Sequence, residues 1–98
     1  MDEREYLIIL YDYYGELLNE DNKTYFEDYY FDNLSLGEIA ENNSISRNAV
    51  HKHIKSTETK LRFYEEKLGL YDKDRRIKRK LKNIKDEKIC KILEELLK

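Results

Sequence analysis

From Ser46 to Leu68 the chain runs without a glycine or a proline. Along it Val50, Ile54, Thr57, Leu61, Tyr64 and Leu68 follow one another at steps of four, three, four, three and four. That spacing is the seam of an α-helix about six turns long; a strand would alternate every second residue. A helix of this length must lay its seam on something: the segments before it, the tail after it, or a second copy of the chain. Gly69 stands where a C-cap belongs. The rest of the chain agrees. There is no proline, there are three glycines, and 41% of residues are charged, against roughly 25% in an ordinary domain. Such a chain is a set of solvated helices, and a sandwich or barrel, which needs turn residues every 8–12 positions or so, is excluded. The 98 residues, 40% hydrophobic and 12% aromatic, suffice for one small domain with an extension. No apolar window approaches the ~18 residues of a membrane span. The acidic start MDEREY does not read as a secretory signal. A single cysteine, Cys90, excludes an intrachain disulfide framework and a cysteine zinc cluster, and a reducing, cytoplasmic setting is expected.

Upstream of the long helix, residues 4–18 read as an amphipathic helix with Leu7, Leu10, Tyr11, Tyr14, Leu17 and Leu18 on one face. After the polar break Asn19–Asn22, residues 23–32 read as a short helix with Tyr25, Phe26, Tyr29 and Tyr30 inward. Then comes LSLGEIAENNSISRNAVHKHIK. Ser35 followed three residues later by Glu38 is a capping box. Ile39 and Ala40 form the inner face of a helix ending near Asn42, and Asn43-Ser44 takes the tight turn, with Asn the residue suited to a left-handed backbone. Ser46 caps the next helix, Arg47 opens it, and Val50 and Ile54 are its first buried positions. Two short elements at such a turn make a helix-turn-helix, whose second helix enters the DNA major groove with its N-terminal residues leading. The expected fold is all-α: a helix-turn-helix with an elongated recognition helix and a C-terminal helical tail. The expected division is a domain over 1–71 and a basic extension over 72–98.

Net charge is −2, but it is unevenly spread. Residues 1–46 hold two basic and twelve acidic residues, while 47–98 hold seventeen basic and nine acidic ones. The second half therefore suits a polyanion, unless it neutralises the first half within the fold. The densest run is 73–85, KDRRIKRKLKNIK, with eight basic residues and one acidic. Ile77, Leu81 and Ile84 keep helical spacing there, so an amphipathic basic helix is expected. Asp86 is placed to cap a last helix over 87–97, with Ile89, Ile92, Leu93, Leu96 and Leu97 apolar and Cys90 a small buried hydrophobe. The candidate nucleic-acid-binding residues are Ser46, Arg47, Asn48, His51, Lys52 and Lys55 on the recognition helix, with Arg75, Arg76, Arg79 and Lys80 on the basic helix. Arginine grips guanine O6 and N7, asparagine pairs with adenine, and lysine serves phosphates. A helix start such as that at Ser46 also offers free N–H groups to a phosphate. No enzyme is expected, and no metal or cofactor. His51 and His53 are two apart and face different ways on a helix, and there is no glycine-rich phosphate loop.

The residues Tyr29-Tyr30, Asp32, Leu34-Ser35-Leu36, Glu38-Ile39-Ala40-Glu41, Ile45-Ser46-Arg47 and Ala49-Val50, followed by Tyr64-Glu65-Glu66-Lys67-Leu68 and Leu70-Tyr71, resemble the YlxM family. These are small bacterial helix-turn-helix proteins similar to the fourth region of sigma factors. The resemblance covers most of residues 5–75. It implies an all-helical fold and a regulatory role linked, through gene neighbourhood, to the signal recognition particle pathway. Three readings follow: a DNA-binding regulator, a module for RNA or signal recognition particle components, and a protein-interaction adaptor. The adaptor reading draws on the acidic residues Asp12, Glu16, Glu27, Asp28 and Asp32. A homodimer is expected, because the seam and the tyrosine-rich first helices exceed what one short chain can bury.

Overall fold

The computed structural model describes residues 1–84 and 86–96. Six α-helices follow in order: α1 (Glu3–Tyr14), α2 (Glu20–Tyr30), α3 (Leu36–Asn43), α4 (Arg47–Leu68), α5 (Leu70–Lys82) and α6 (Glu87–Leu96). A single 3-10 turn, Gly15–Leu17, separates α1 from α2. The expected all-α fold with a central helix-turn-helix is the one observed, the motif being α3, its turn and the start of α4. No helix among the described residues is long and apolar enough to cross a membrane.

The helix-forming signals act where the sequence put them. Asp2 and Asn19 cap α1 and α2 by accepting the N–H groups of Glu5 and Asn22. Both halves of the Ser35–Glu38 capping box are made. Ser46 Oγ accepts the Ala49 N–H at 3.0 Å. The turn differs in one respect. Ser44, not Asn43, takes the left-handed backbone (φ 55°). Asn43 remains the last residue of α3, its side-chain amide donating to the Ile39 carbonyl at 2.8 Å.

The long helix α4 packs against α1, α2 and α3. Leu7, Leu10 and Tyr14 of α1, Tyr25, Phe26 and Tyr30 of α2, Ile39 and Ala40 of α3, and Val50, Ile54 and Leu61 of α4 form the core. Each leucine, isoleucine, valine and phenylalanine among them contributes roughly 1.5–3 kcal/mol by leaving water. Thr57 is fully buried within the seam, and its hydroxyl donates to the His53 carbonyl. Three expectations are corrected here. Leu17 is 56% exposed. At buried Gly15, where a Cβ would stand 3.2 Å from the Tyr11 ring, the chain tightens to three residues per turn. That shifts the phase so that Leu18, not Leu17, turns inward. Leu68 is 55% exposed, since the seam loses its cover after half-buried Tyr64. The second helix begins at Glu20 rather than 23, because Asn19 caps it.

The chain leaves this core through Gly69, whose φ of 61° makes it the C-cap of α4 and the N-cap of α5. The radius of gyration is 17.2 Å, against roughly 13 Å for a compact chain of this length. The excess reflects the projection of α5 and α6. On these two helices only Leu81 is buried. Cys90 is half-buried rather than enclosed, with its thiol 3.5 and 3.3 Å from the carbonyls of Leu81 and Ile84. Asp86 caps α6 as expected, accepting the Lys88 N–H at 3.0 Å. The expected basic run 73–85 and last helix 87–97 each reach one residue, Lys85 and Leu97, that lies outside the described residues.

Candidate nucleic-acid interface

The start of α4, from its cap Ser46 into its third turn, presents Ser46, Arg47, Asn48, His51, Lys52 and Lys55, all exposed. At 100° per residue, the five after Ser46 share an arc of about 140°. Val50 and Ile54, which adjoin the Arg47 edge of that arc, anchor this stretch in the core.

Its surroundings divide the flank in two. An open cleft of about 460 Å³ runs beside it, lined among others by His51, Lys55, Asp2, Glu3 and Glu58. Lys55 Nζ sits 3.4 Å from Glu58. Glu58 is buried and also accepts the Tyr30 hydroxyl at 2.7 Å. Asp2 and Glu3 arrive from the other end of the chain. Arg4 anchors that end by donating to the Tyr30 carbonyl at 2.8 Å and to Asn33 Oδ1 at 2.9 Å. Glu3 is ion-paired with Arg62, whose hydrogen bond holds its carboxyl below the usual range. His51 and Lys55 therefore face carboxylates, while Arg47, Asn48 and Lys52 do not line the cleft. Asp12, Glu16, Glu27, Asp28 and Asp32 do not line it either. Asp28 is pushed up by burial and then by repulsion from Asp32 and Glu27, so those three form one acidic cluster on α2 and its end. His53 is turned inward, Nδ1 2.9 Å from Asn22 Oδ1 and its ring edge-on to Tyr25.

The second cationic surface is α5. Lys73, Arg75, Arg76, Lys78, Arg79, Lys80 and Lys82 are all exposed. Arg76 pairs with Asp72 at 3.3 Å, and the Arg75 guanidinium lies 5.4 Å from the centre of the Tyr71 ring. Among the described residues no ion pair joins an α5 cation to a carboxylate of residues 1–46.

What holds α5 in place was not visible in the sequence. Glu65, near the end of α4, accepts the N–H groups of Tyr71 and Asp72 at 3.1 Å each, capping α5 in place of a side chain at Gly69. The Tyr14 hydroxyl donates to Glu65 at 2.5 Å and accepts the Leu70 N–H at 3.1 Å. Tyr13 donates to Asp74. Burial, and then the bond to Glu65, push the Tyr14 phenol up to about 12. Burial and the bond to Asp74 raise Tyr13 likewise. Carboxylate–tyrosine pairs 51 and 61 residues apart carry no local signal.

A helix-turn-helix whose second helix is rigidly seated, capped and cationic on its outer flank defines the class of the protein. Residues 1–98 match the family model described as "Putative helix-turn-helix protein, YlxM / p13 like", and the chain belongs to that family. A UPF0122 protein of Thermoanaerobacter sp. (strain X514) is 41% identical over 106 residues, covering 97% of this chain and 91% of the relative. One from Caldanaerobacter subterraneus subsp. tengcongensis is 44% identical over 85 residues, covering 87% and 73%. One from Listeria monocytogenes serovar 1/2a is 42% identical over 97 residues, covering 90% and 88%. The family description names a helix-turn-helix and no catalytic activity.

Proposed function

We propose that the chain is a non-catalytic regulatory module that reads duplex DNA with the start of α4 and grips phosphates with α5. One observation carries the reading. Arg47, Asn48 and Lys52 stand exposed on the leading turns of a helix-turn-helix second helix, clear of the carboxylates that border His51 and Lys55. These three take the base-reading role; Lys55 and His51 line its edge, and the free N–H groups after Ser46 suit a phosphate. On α5, Arg75, Arg76, Arg79 and Lys80 supply backbone contacts, each adding nearly one unit to the log–log salt slope. The proposal takes the chain as a cytoplasmic homodimer, divided into 1–71 and 72–98. The test is binding to a duplex selected from random DNA. Arg47→Ala with Lys52→Ala is expected to weaken it by about 1–3 kcal/mol per base-reading residue and to relax sequence preference. Retained preference would remove direct reading by this flank.

A second reading has its own support. The α5 cations are denser than those of α4 and mostly unpaired, which favours structured RNA, including the RNA of the signal recognition particle to which the family resemblance points. Neutralising Arg75, Arg76, Arg79 and Lys80 then abolishes binding to that RNA while Arg47→Ala does not. An adaptor without base reading is the outcome if neither pool shows salt-sensitive binding.

A further inference from the structure

The described helices leave one organised apolar stripe without cover. On α6, Ile89, Ile92 and Leu96 are 47%, 59% and 75% exposed. At 100° per residue they share an arc of about 60°. Cys90 and Leu93, on the adjoining arc, are the half-buried residues of this helix. The apolar face of α6 thus spans about 160°, of which the Cys90–Leu93 part is partly covered and the rest is open. The other exposed large apolar side chains, Met1, Leu17, Phe31, Phe63, Leu68, Leu70 and Ile84, are spread over six segments. The steps of three and four between Ile89, Ile92 and Leu96 are those of a two-helix seam. Lys88 and Glu95, both exposed, flank that seam on the same side.

We propose that α6 pairs antiparallel with α6 of a second copy of this chain, using Ile89, Ile92 and Leu96 as the seam. The proposal rests on the homodimer reading above and narrows it to one surface. Charge complementarity selects the occupant. In an antiparallel pair with Ile89 opposite Ile92 of the partner subunit, Lys88 meets Glu95 of the partner subunit. Two-fold symmetry makes the same contact a second time. In a parallel pair the two flanking edges fall on opposite sides of the seam, and neither Lys88 nor Glu95 meets an opposite charge. Two ten-residue helices bury less than a standard interface, so association is weak. The pairing sets two helix-turn-helix units on a two-fold axis, the arrangement that matches paired half-sites.

Sedimentation equilibrium of the full chain between about 10 and 300 µM tests this. The unmodified chain is expected to dimerise, and Ile92→Asp to raise the Kd about a hundredfold or more, since it sets a carboxylate in an apolar seam. Ile92 is exposed in the monomer, so the helical circular dichroism is expected to persist. Lys88→Glu is expected to weaken pairing about threefold to tenfold. Lys88→Glu with Glu95→Lys is expected to restore it; both changes suit the helix dipole and spare α6 itself. A chain that stays monomeric throughout overturns the homodimer reading and this proposal together. A dimer untouched by Ile92→Asp leaves the homodimer standing and overturns α6 as its surface. Failure of the double change to restore pairing overturns the antiparallel arrangement.

Discussion

Residues 3–69 and 70–96 are equally helical and differently supported. In the first region four helices cross around tyrosine, phenylalanine and leucine, with Phe26, Leu10 and Leu61 fully enclosed. In the second, α5 and α6 are amphipathic by sequence but bury only Leu81. Periodicity of apolar residues fixes helicity in both, whereas enclosure needs neighbours, and only the first region has them. The second is a support for charge, held to the core at one end by Tyr13, Tyr14 and Glu65. Its stability is therefore local and separable from that of the core.

Four substitutions sharpen or break that contrast. The largest effect is expected at Leu61, where Leu61→Ala costs about 2–5 kcal/mol and lowers the whole unfolding transition. Leu81→Ala, by contrast, should cost under about 2 kcal/mol and loosen α6 while the core transition stays put. Urea unfolding followed by tyrosine fluorescence and by helical circular dichroism separates the two. Equal losses would mean that the molecule unfolds as one unit. Next comes Glu65→Ala. It leaves the first N–H groups of α5 and the Tyr14 hydroxyl without their acceptor, at a cost of about 1–3 kcal/mol. Amide exchange is expected to quicken across α5 and barely change in α2. Alkali probes the same latch. A tyrosine in an unfolded chain ionises near pH 10, whereas Tyr14 is held neutral up to about 12. Its stabilising effect is complete below pH 10 and is lost as the pH rises to 12. Absorbance at 295 nm should then show tyrosine ionisation coinciding with unfolding. The smallest effect is at the helix-turn-helix elbow. Ser44 occupies a left-handed backbone that glycine adopts without strain, so Ser44→Gly is expected to stabilise by about 0.5 kcal/mol, read as a small rise in Tm.

The fold was legible wherever a local rule operates. The capping box at Ser35, the cap at Ser46, the C-cap at Gly69 and the seam from Val50 to Leu61 all depend on residues a few positions apart. The misplacements came from local geometry that composition does not encode: the tightened turn at Gly15 that expels Leu17, and the Asn43 amide that moves the left-handed residue to Ser44. The surroundings of the recognition flank were legible only in part. Helical spacing gives the exposure of Arg47 and Lys52. Glu58 stands three residues after Lys55 on the same helix, whereas Asp2 and Glu3 arrive through Arg4, whose hydrogen bonds to residues 30 and 33 depend on how α1 crosses the bundle.

Gly69 has a consequence for how such a chain can change over time. Because one residue serves as the end of α4 and the start of α5, there is no slack between the two cationic surfaces. One extra residue at that corner would swing the lysines and arginines of α5 by about 100° around their own axis. Shortening or lengthening here is a coarse dial on where positive charge points, whereas point changes on α5 only alter how much of it there is.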